Sequence, residues 1–234
     1  MKKPYLKKFG VIKNITIWIV NGKYIRENFD EEFTNFGQHY FFHFIPTNEF
    51  WIDKENSPGE EEFFIHHLFV EWRLMRRGMK YKTALAHADR SERAERMKSD
   101  TVKGLKPFLT NTKLIKRIHK KQIASYKNGL QIWLVRGNLV RDFYFIDFTE
   151  GGHDNVYSFI PKDEVWIDDD LSPQERRFVL LHEVHERRLM ASGWLYSKAH
   201  RSANKIEFVC RNHPFLLAKK LHEEFKSKTS GRGF

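Results

Sequence analysis

A single cysteine, Cys210, is all that 234 residues carry. An internal disulfide is therefore excluded, and so is any thiolate metal cluster, which leaves His, Asp and Glu as the only strong metal ligands. Long apolar runs are missing as well, since no stretch approaches the roughly 20 residues that a membrane span needs. The basic opening MKKPYLKKFGVIKN is followed only by the short run 15–20, too brief for the apolar core of a signal peptide. A cytoplasmic protein with no membrane contact is the expectation. No helix-turn-helix, RNP or zinc-finger spacing is present either.

What is abundant is aromatic surface and lysine. Aromatics make up 15% of the chain and hydrophobic residues 41%, enough to build a core and to rule out a disordered polymer. The formal net charge is +11, and its lysines gather at the N-terminus (Lys2, Lys3, Lys7, Lys8), between Lys103 and Lys127, and in the tail (Lys219, Lys220, Lys226, Lys228). Such basic segments suit nucleic acid or another polyanion. The plainer alternative is that lysines solubilise segments outside the folded parts.

The chain repeats itself. Shifted by 115 residues, 15–81 falls over 130–196 without a gap, and 26 of those 67 positions are identical. Each copy opens with an apolar run, 15–20 and 130–135, that leads into Asn21-Gly22 or Arg136-Gly137. Asn-Gly is the preferred type I′ hairpin dipeptide, so the spacing predicts a hairpin returning through 23–26 and 138–141. Further strands are expected at 40–45 and 50–52, and at 156–160 and 165–167. The fold class is α+β, a tandem duplication of a small antiparallel sheet followed by two helices. The expected division is a first repeat over 1–98, a basic linker over 99–129, a second repeat over 130–213, and a C-terminal helix and tail over 214–234.

The helix signals are sharp. Ser57-Pro58-Gly59-Glu60 and Ser172-Pro173-Gln174-Glu175 each combine an N-cap Ser, Pro at N1 and Glu at N3, and Gly78 or Gly193 supplies the stop. Helices are predicted over 58–77 and 173–192, then over 83–98 and 198–211. Ser227–Phe234 reads as a frayed tail.

The first helix of each copy carries His-x-x-x-Glu: His67 with Glu71, and His182 with Glu186. Four residues is one helical turn, so both side chains share a face and can hold one cation. The next helix adds His200 and Glu207, seven apart, with the small Ala203 between them. In the first copy His87 and Glu95 are the nearest counterparts, with Ala88 or Asp89 at the place of His200. The metal-ligand candidates are thus His182, Glu186, His200 and Glu207, with His67, Glu71, His87 and Glu95 in the first copy. Imidazole and carboxylate suit zinc, iron or manganese. The competing reading is a hydrogen-bonded polar cluster tying two helices together. His185 is read as a surface or partner-facing residue and not a ligand, Trp51 and Trp166 as core residues. Asp53 and Asp168 are read as helix caps or supports for a ligand histidine, and Arg73 and Arg188 as partners of Glu60 and Glu175.

His182-Glu183-Val184-His185-Glu186 resembles the active-site helix of the zincins, in their glutamate-ligand form. The resemblance covers about 168–207, and it departs from the HExxH pattern because Glu186 stands where the second histidine would be. It implies a divalent transition metal, zinc being the one expected, with Glu183 as the catalytic base that takes a proton from water. The stretch is also similar to short phage and bacterial proteins that share the run Phe159-Ile160-Pro161, Glu164, Trp166-Ile167-Asp168, His182-Glu183, Glu186, Gly193, Tyr196 and Ala199-His200. The function expected is a metal-dependent hydrolase of peptide or amide substrates, active in the second repeat. The first repeat has Leu68 and Val70 in place of Glu183 and His185. The alternative is a non-enzymatic binding protein for nucleic acid or a protein partner.

Overall fold

A computed structural model describes residues 4–105, 110–126 and 129–226. The tail from Ser227 lies outside the described residues. The chain forms two compact units, one of 1–118 with 138–148, the other of 119–137 with 149–234. Each unit holds a four-stranded sheet, so the α+β duplication stands.

In the first unit β1 (Tyr5–Ile12), β2 (Ile15–Val20), β3 (Phe36–Gln38) and β4 (Glu49–Asp53) lie in the order β1-β2-β4-β3. In the second, β5 (His119–Ser125), β6 (Gln131–Val135), β7 (Gly151–His153) and β8 (Glu164–Asp168) repeat that order. The sheets are mixed where an antiparallel one was expected, because β2 runs parallel to β4 and β6 parallel to β8. The cause lies at Asn21-Gly22. Instead of turning a hairpin, Asn21 caps α1 (Gly22–Asn28), its side chain accepting from the Tyr24 N–H. A crossover helix makes the next long strand parallel. Gly22 is required for a close approach: a Cβ there would stand 1.7 Å from Asp53 Oδ2, whose Oδ1 accepts the Gly22 N–H at 3.0 Å. Gly137, at the start of α6 (Gly137–Phe143), meets Asp168 the same way at 1.8 Å. Asp53 thus caps α1, a helix where a returning strand was expected, and also pairs with Arg26 at 2.9 Å.

Two other expected strands, 40–45 and 156–160, are turns. In the first unit, Phe42 and Ile45 of that segment join Val20, Ile25, Phe33 and Trp51 in a cluster on one side of the sheet. The region read as a basic linker contains two helices, α4 (Asp100–Leu105) and α5 (Asn111–Ile118), and the edge strand β5.

The long helices come out near their expected places. α2 (Glu61–Arg76) and α7 (Glu175–Ala191) pack Phe64 and Leu68, or Val179 and Val184, onto their sheets. They begin two or three residues late. Before α2, Gly59 sits at φ +93° and breaks the first turn; before α7, Ser172 Oγ accepts the Glu175 N–H. Gly78 and Gly193, at φ +86° and +93°, stop both helices through N–H bonds back to Met75 and Met190. α3 (Tyr81–Arg96) and α8 (Tyr196–Asn212) then pack back on α2 and α7. Fully buried alanines, Ala84, Ala88, Ala199 and Ala203, allow that close packing. A turn of 3-10 helix leads into α9 (Leu217–Lys226), which packs on α7. Among the described residues no helix is long and apolar enough to cross a membrane.

Candidate metal centre

In the second unit α7 and α8 bring three of the expected ligands to one point. His182 Nε2 lies 3.2 Å from His200 Nδ1 and 3.6 Å from Glu186 Oε2, and His200 Nδ1 lies 2.8 Å from the same oxygen. Two of these edges, 3.2 and 3.6 Å, are near the roughly 3.3–3.6 Å between ligand atoms that stand 2.0–2.2 Å from a tetrahedral zinc ion, and the third, 2.8 Å, is a hydrogen-bond length. The side chain of Glu186 is 4% exposed, of His182 12%, and of His200 31%, so the group opens to solvent on the His200 side. Tyr196 stacks on His200 at that opening.

The fourth expected ligand takes another part. Glu207 Oε2 accepts from His182 Nδ1 at 2.9 Å, while Arg211 Nε donates to Glu207 Oε1 at 2.8 Å and Arg211 Nη1 to Glu175 Oε2 at 2.7 Å. A carboxylate on Nδ1 fixes the ring and leaves Nε2 facing Glu186 and His200. Glu207 thus holds His182 and Arg211 with its two oxygens and stands outside the trio. Burial works against its charge, but His182 and Arg211 overcome this and hold its pKa down to about 2. His182 is driven the other way: burial opposes its protonation, and the carboxylates of Glu186 at 3.6 Å and Glu207 at 2.9 Å raise its pKa well above the usual value. Glu186 is held far below the carboxylate range by His153, His182 and His200 despite burial.

Glu183, the expected base, is 9% exposed on the same helix. Burial raises its pKa, and the neighbouring His182 and His153 pull it part of the way back. His153 escaped the sequence reading. It lies on β7, fully buried, with Nε2 3.0 Å from Glu186 Oε1. Its aligned counterpart is Gln38, so comparing the copies hid the histidine instead of marking it. His185 was expected at the surface but is 9% exposed, held by Glu224 at 2.7 Å and Ser202 at 2.9 Å, because α9 covers that flank of α7.

The first unit keeps the frame of this arrangement and the counterparts of His182 and Glu186, His67 and Glu71, without one of His200. His67 Nδ1 bonds to Glu92 Oε2 at 2.9 Å, and Arg96 Nε donates to Glu92 Oε1 at 2.8 Å. The 115-residue shift therefore runs on through α3: Glu92 matches Glu207, Arg96 matches Arg211, and Leu85 matches His200. His87 and Glu95 do not reach His67. His87 is exposed beside Arg90, and Glu95 pairs with Lys98 in solvent. Glu71 instead accepts from Gln38 Nε2 at 2.6 Å, and Phe36 packs on His67 at 5.0 Å. Glu60 and Glu175 find Arg96 and Arg211, not Arg73 and Arg188; Arg141 also pairs with Glu60, and Arg188 with Glu224.

Four positions at this site differ between the copies. Where the second has Gly151, His153, Glu183 and His200, the first has Phe36, Gln38, Leu68 and Leu85. The pair Gly151 and Glu183 has a steric reason: a Cβ at position 151 would stand 3.1 Å from Glu183 Cγ and 2.9 Å from Val179 Cγ1. A larger residue there leaves less room for the glutamate. No family model matches the chain, and comparisons with curated proteins and with solved structures find no match.

Proposed function

We propose that the second unit is a metal-dependent hydrolase of peptide or amide bonds, with His182, Glu186 and His200 as the ligands of a divalent transition metal, zinc fitting best. The observation that carries this reading is the triangle of ligand atoms with edges of 2.8, 3.2 and 3.6 Å. Three protein ligands with the fourth direction open is the arrangement of a catalytic site rather than a closed structural one. Bound there, the metal would supply a Lewis acid and lower the pKa of water.

The protein's residues do the rest. Glu207 holds the His182 ring, with Arg211 and Glu175 behind it, so the donor nitrogen is in place before anything binds. Glu183 receives the proton of the attacking water and passes it to the leaving amine, its pKa lifted by burial toward the range where a carboxyl both accepts and donates. Tyr196, half exposed beside His200, stands where its ring can border a substrate. The first unit, without Glu183 and His200, takes no part in the chemistry.

Elemental analysis of protein purified without chelator, then loaded with zinc and dialysed, tests the reading. The expected result is at least one ion per chain, lost in His182→Ala. Glu183→Gln keeps an ion but loses amidase activity. Protein that retains no metal after zinc or iron loading would sink the proposal.

A further inference from the structure

The metal position proposed above uses one oxygen of Glu186. Its other oxygen, Oε1, faces His153 Nε2 at 3.0 Å, on the side away from His200. Glu183 completes a second trio: ligand atoms of His153, Glu183 and Glu186 all lie within 4.8 Å of one another, and all three residues are buried. Each trio closes on its own, and Glu186 belongs to both.

We infer that the second unit holds a pair of metal positions bridged by the Glu186 carboxylate, the second built from His153, Glu183 and Glu186 Oε1. This rests on the reading of the first position. A carboxylate whose two oxygens point at separate donor sets is suited to hold two ions in the spacing of about 3.5–4 Å seen in two-metal hydrolytic sites. One imidazole and two carboxylates suit zinc, manganese or ferrous iron. Charge favours the same assignment. Two glutamates buried side by side repel each other, and a buried carboxylate needs a compensating partner; Glu186 faces three histidines, and a divalent ion between the two glutamates would compensate Glu183 as well.

The internal comparison carries the inference further. If His153 and Glu183 served packing alone, one copy's solution would suit the other. In the first unit neither is present: Gln38 and Leu68 stand in their places, and Phe36 stands in the place of Gly151. Glu71 there is satisfied by a neutral amide. The first unit also has Leu85 in place of His200, as expected if the donors serve one centre. With both positions filled Glu183 is a ligand; with only the first filled it is the proton acceptor.

The test uses full-length protein stripped with EDTA and titrated with Mn(II), with stoichiometry read by elemental analysis and coupling by electron paramagnetic resonance. Wild type should bind two ions per chain with a spin-coupled signal. His153→Gln and Glu183→Leu, the residues the first repeat itself carries at those places, should bind one ion with an uncoupled signal while circular dichroism stays unchanged. A single ion in wild type, lost in His182→Ala and kept in His153→Gln, would overturn the second position and leave the first standing. Two ions in wild type and in both variants would also overturn it. No ion at all would overturn both.

Discussion

Glu207→Gln separates orientation of a ligand from ligation. The glutamate accepts from His182 Nδ1 on one oxygen and from Arg211 on the other. An amide of the same shape has one acceptor and two donors, so it can satisfy one of these partners and must present N–H to the other. Leaving a buried donor unpaired costs about 1–3 kcal/mol of stability. Losing the carboxylate that steadies a ligand histidine weakens metal binding by about 10–100-fold, or roughly 1.4–2.7 kcal/mol. Zinc affinity is measured by competition with a chromophoric chelator, and stability by urea unfolding of the metal-free protein. Glu92→Gln is the internal control: it breaks the same pair of bonds in the first unit, so it should cost similar stability and leave zinc affinity within about twofold. If Glu207→Gln lowered stability but left affinity unchanged, Glu207 would be only a structural brace and the orienting role would be wrong. If it abolished binding as completely as His182→Ala, Glu207 would be a ligand after all.

Leu85→His should give the first unit a His67, Glu71 and histidine trio, and the chain should gain one zinc ion per molecule by elemental analysis; no gain would mean that the helix frame does not suffice to place ligands. His67 has its pKa raised to about 9, where burial opposes protonation but the neighbouring carboxylates, Glu71 at 3.7 Å and Glu92 at 2.9 Å, outweigh it. Its folded value exceeds the unfolded 6.5, so the stability it adds is complete below about pH 6.5 and is lost as pH rises through 9. The full shift corresponds to about 3 kcal/mol; urea unfolding of wild type against His67→Gln should show a difference that shrinks over that window, and a constant difference would refute the protonated histidine. Gly22→Ala would push a methyl into Asp53 and displace it from the α1 N-terminus and from Arg26, lowering stability by about 2–4 kcal/mol in chemical denaturation; a loss under about 0.5 kcal/mol would mean that the close approach is not needed.

The parts legible in the sequence are those set by local chemistry. Gly78 and Gly193 ended their helices as expected because a left-handed stop depends on the residue itself. His182 and Glu186 share a face because the helical period requires it, and His200 joined them once the glycine turn folded α8 back on α7. What failed depends on distant partners. Asn21-Gly22 suits a hairpin turn and a helix cap equally, and the choice falls to Asp53, more than thirty residues on. The aromatic runs 40–45 and 156–160 are apolar enough for strands, yet they form turns, and in the first unit Phe42 and Ile45 are buried there beside the sheet. The edge strands β1 and β5 carry mostly exposed residues, many of them lysine, which hid the pairing with β2 and β6. His153 was missed because identity between the copies was taken as the signal, whereas the informative positions are those where the chemistry differs: Gln38 against His153, Leu68 against Glu183, Leu85 against His200.

X-ray absorption at the zinc edge addresses the central claim most directly. Protein loaded with one equivalent of zinc should show a first shell of nitrogen and oxygen at about 2.0–2.1 Å with two imidazoles in the outer-shell scattering, and His200→Leu should remove one of them. A spectrum without imidazole, or one that His182→Ala and His200→Leu leave unchanged, would contradict a metal centre at His182, Glu186 and His200.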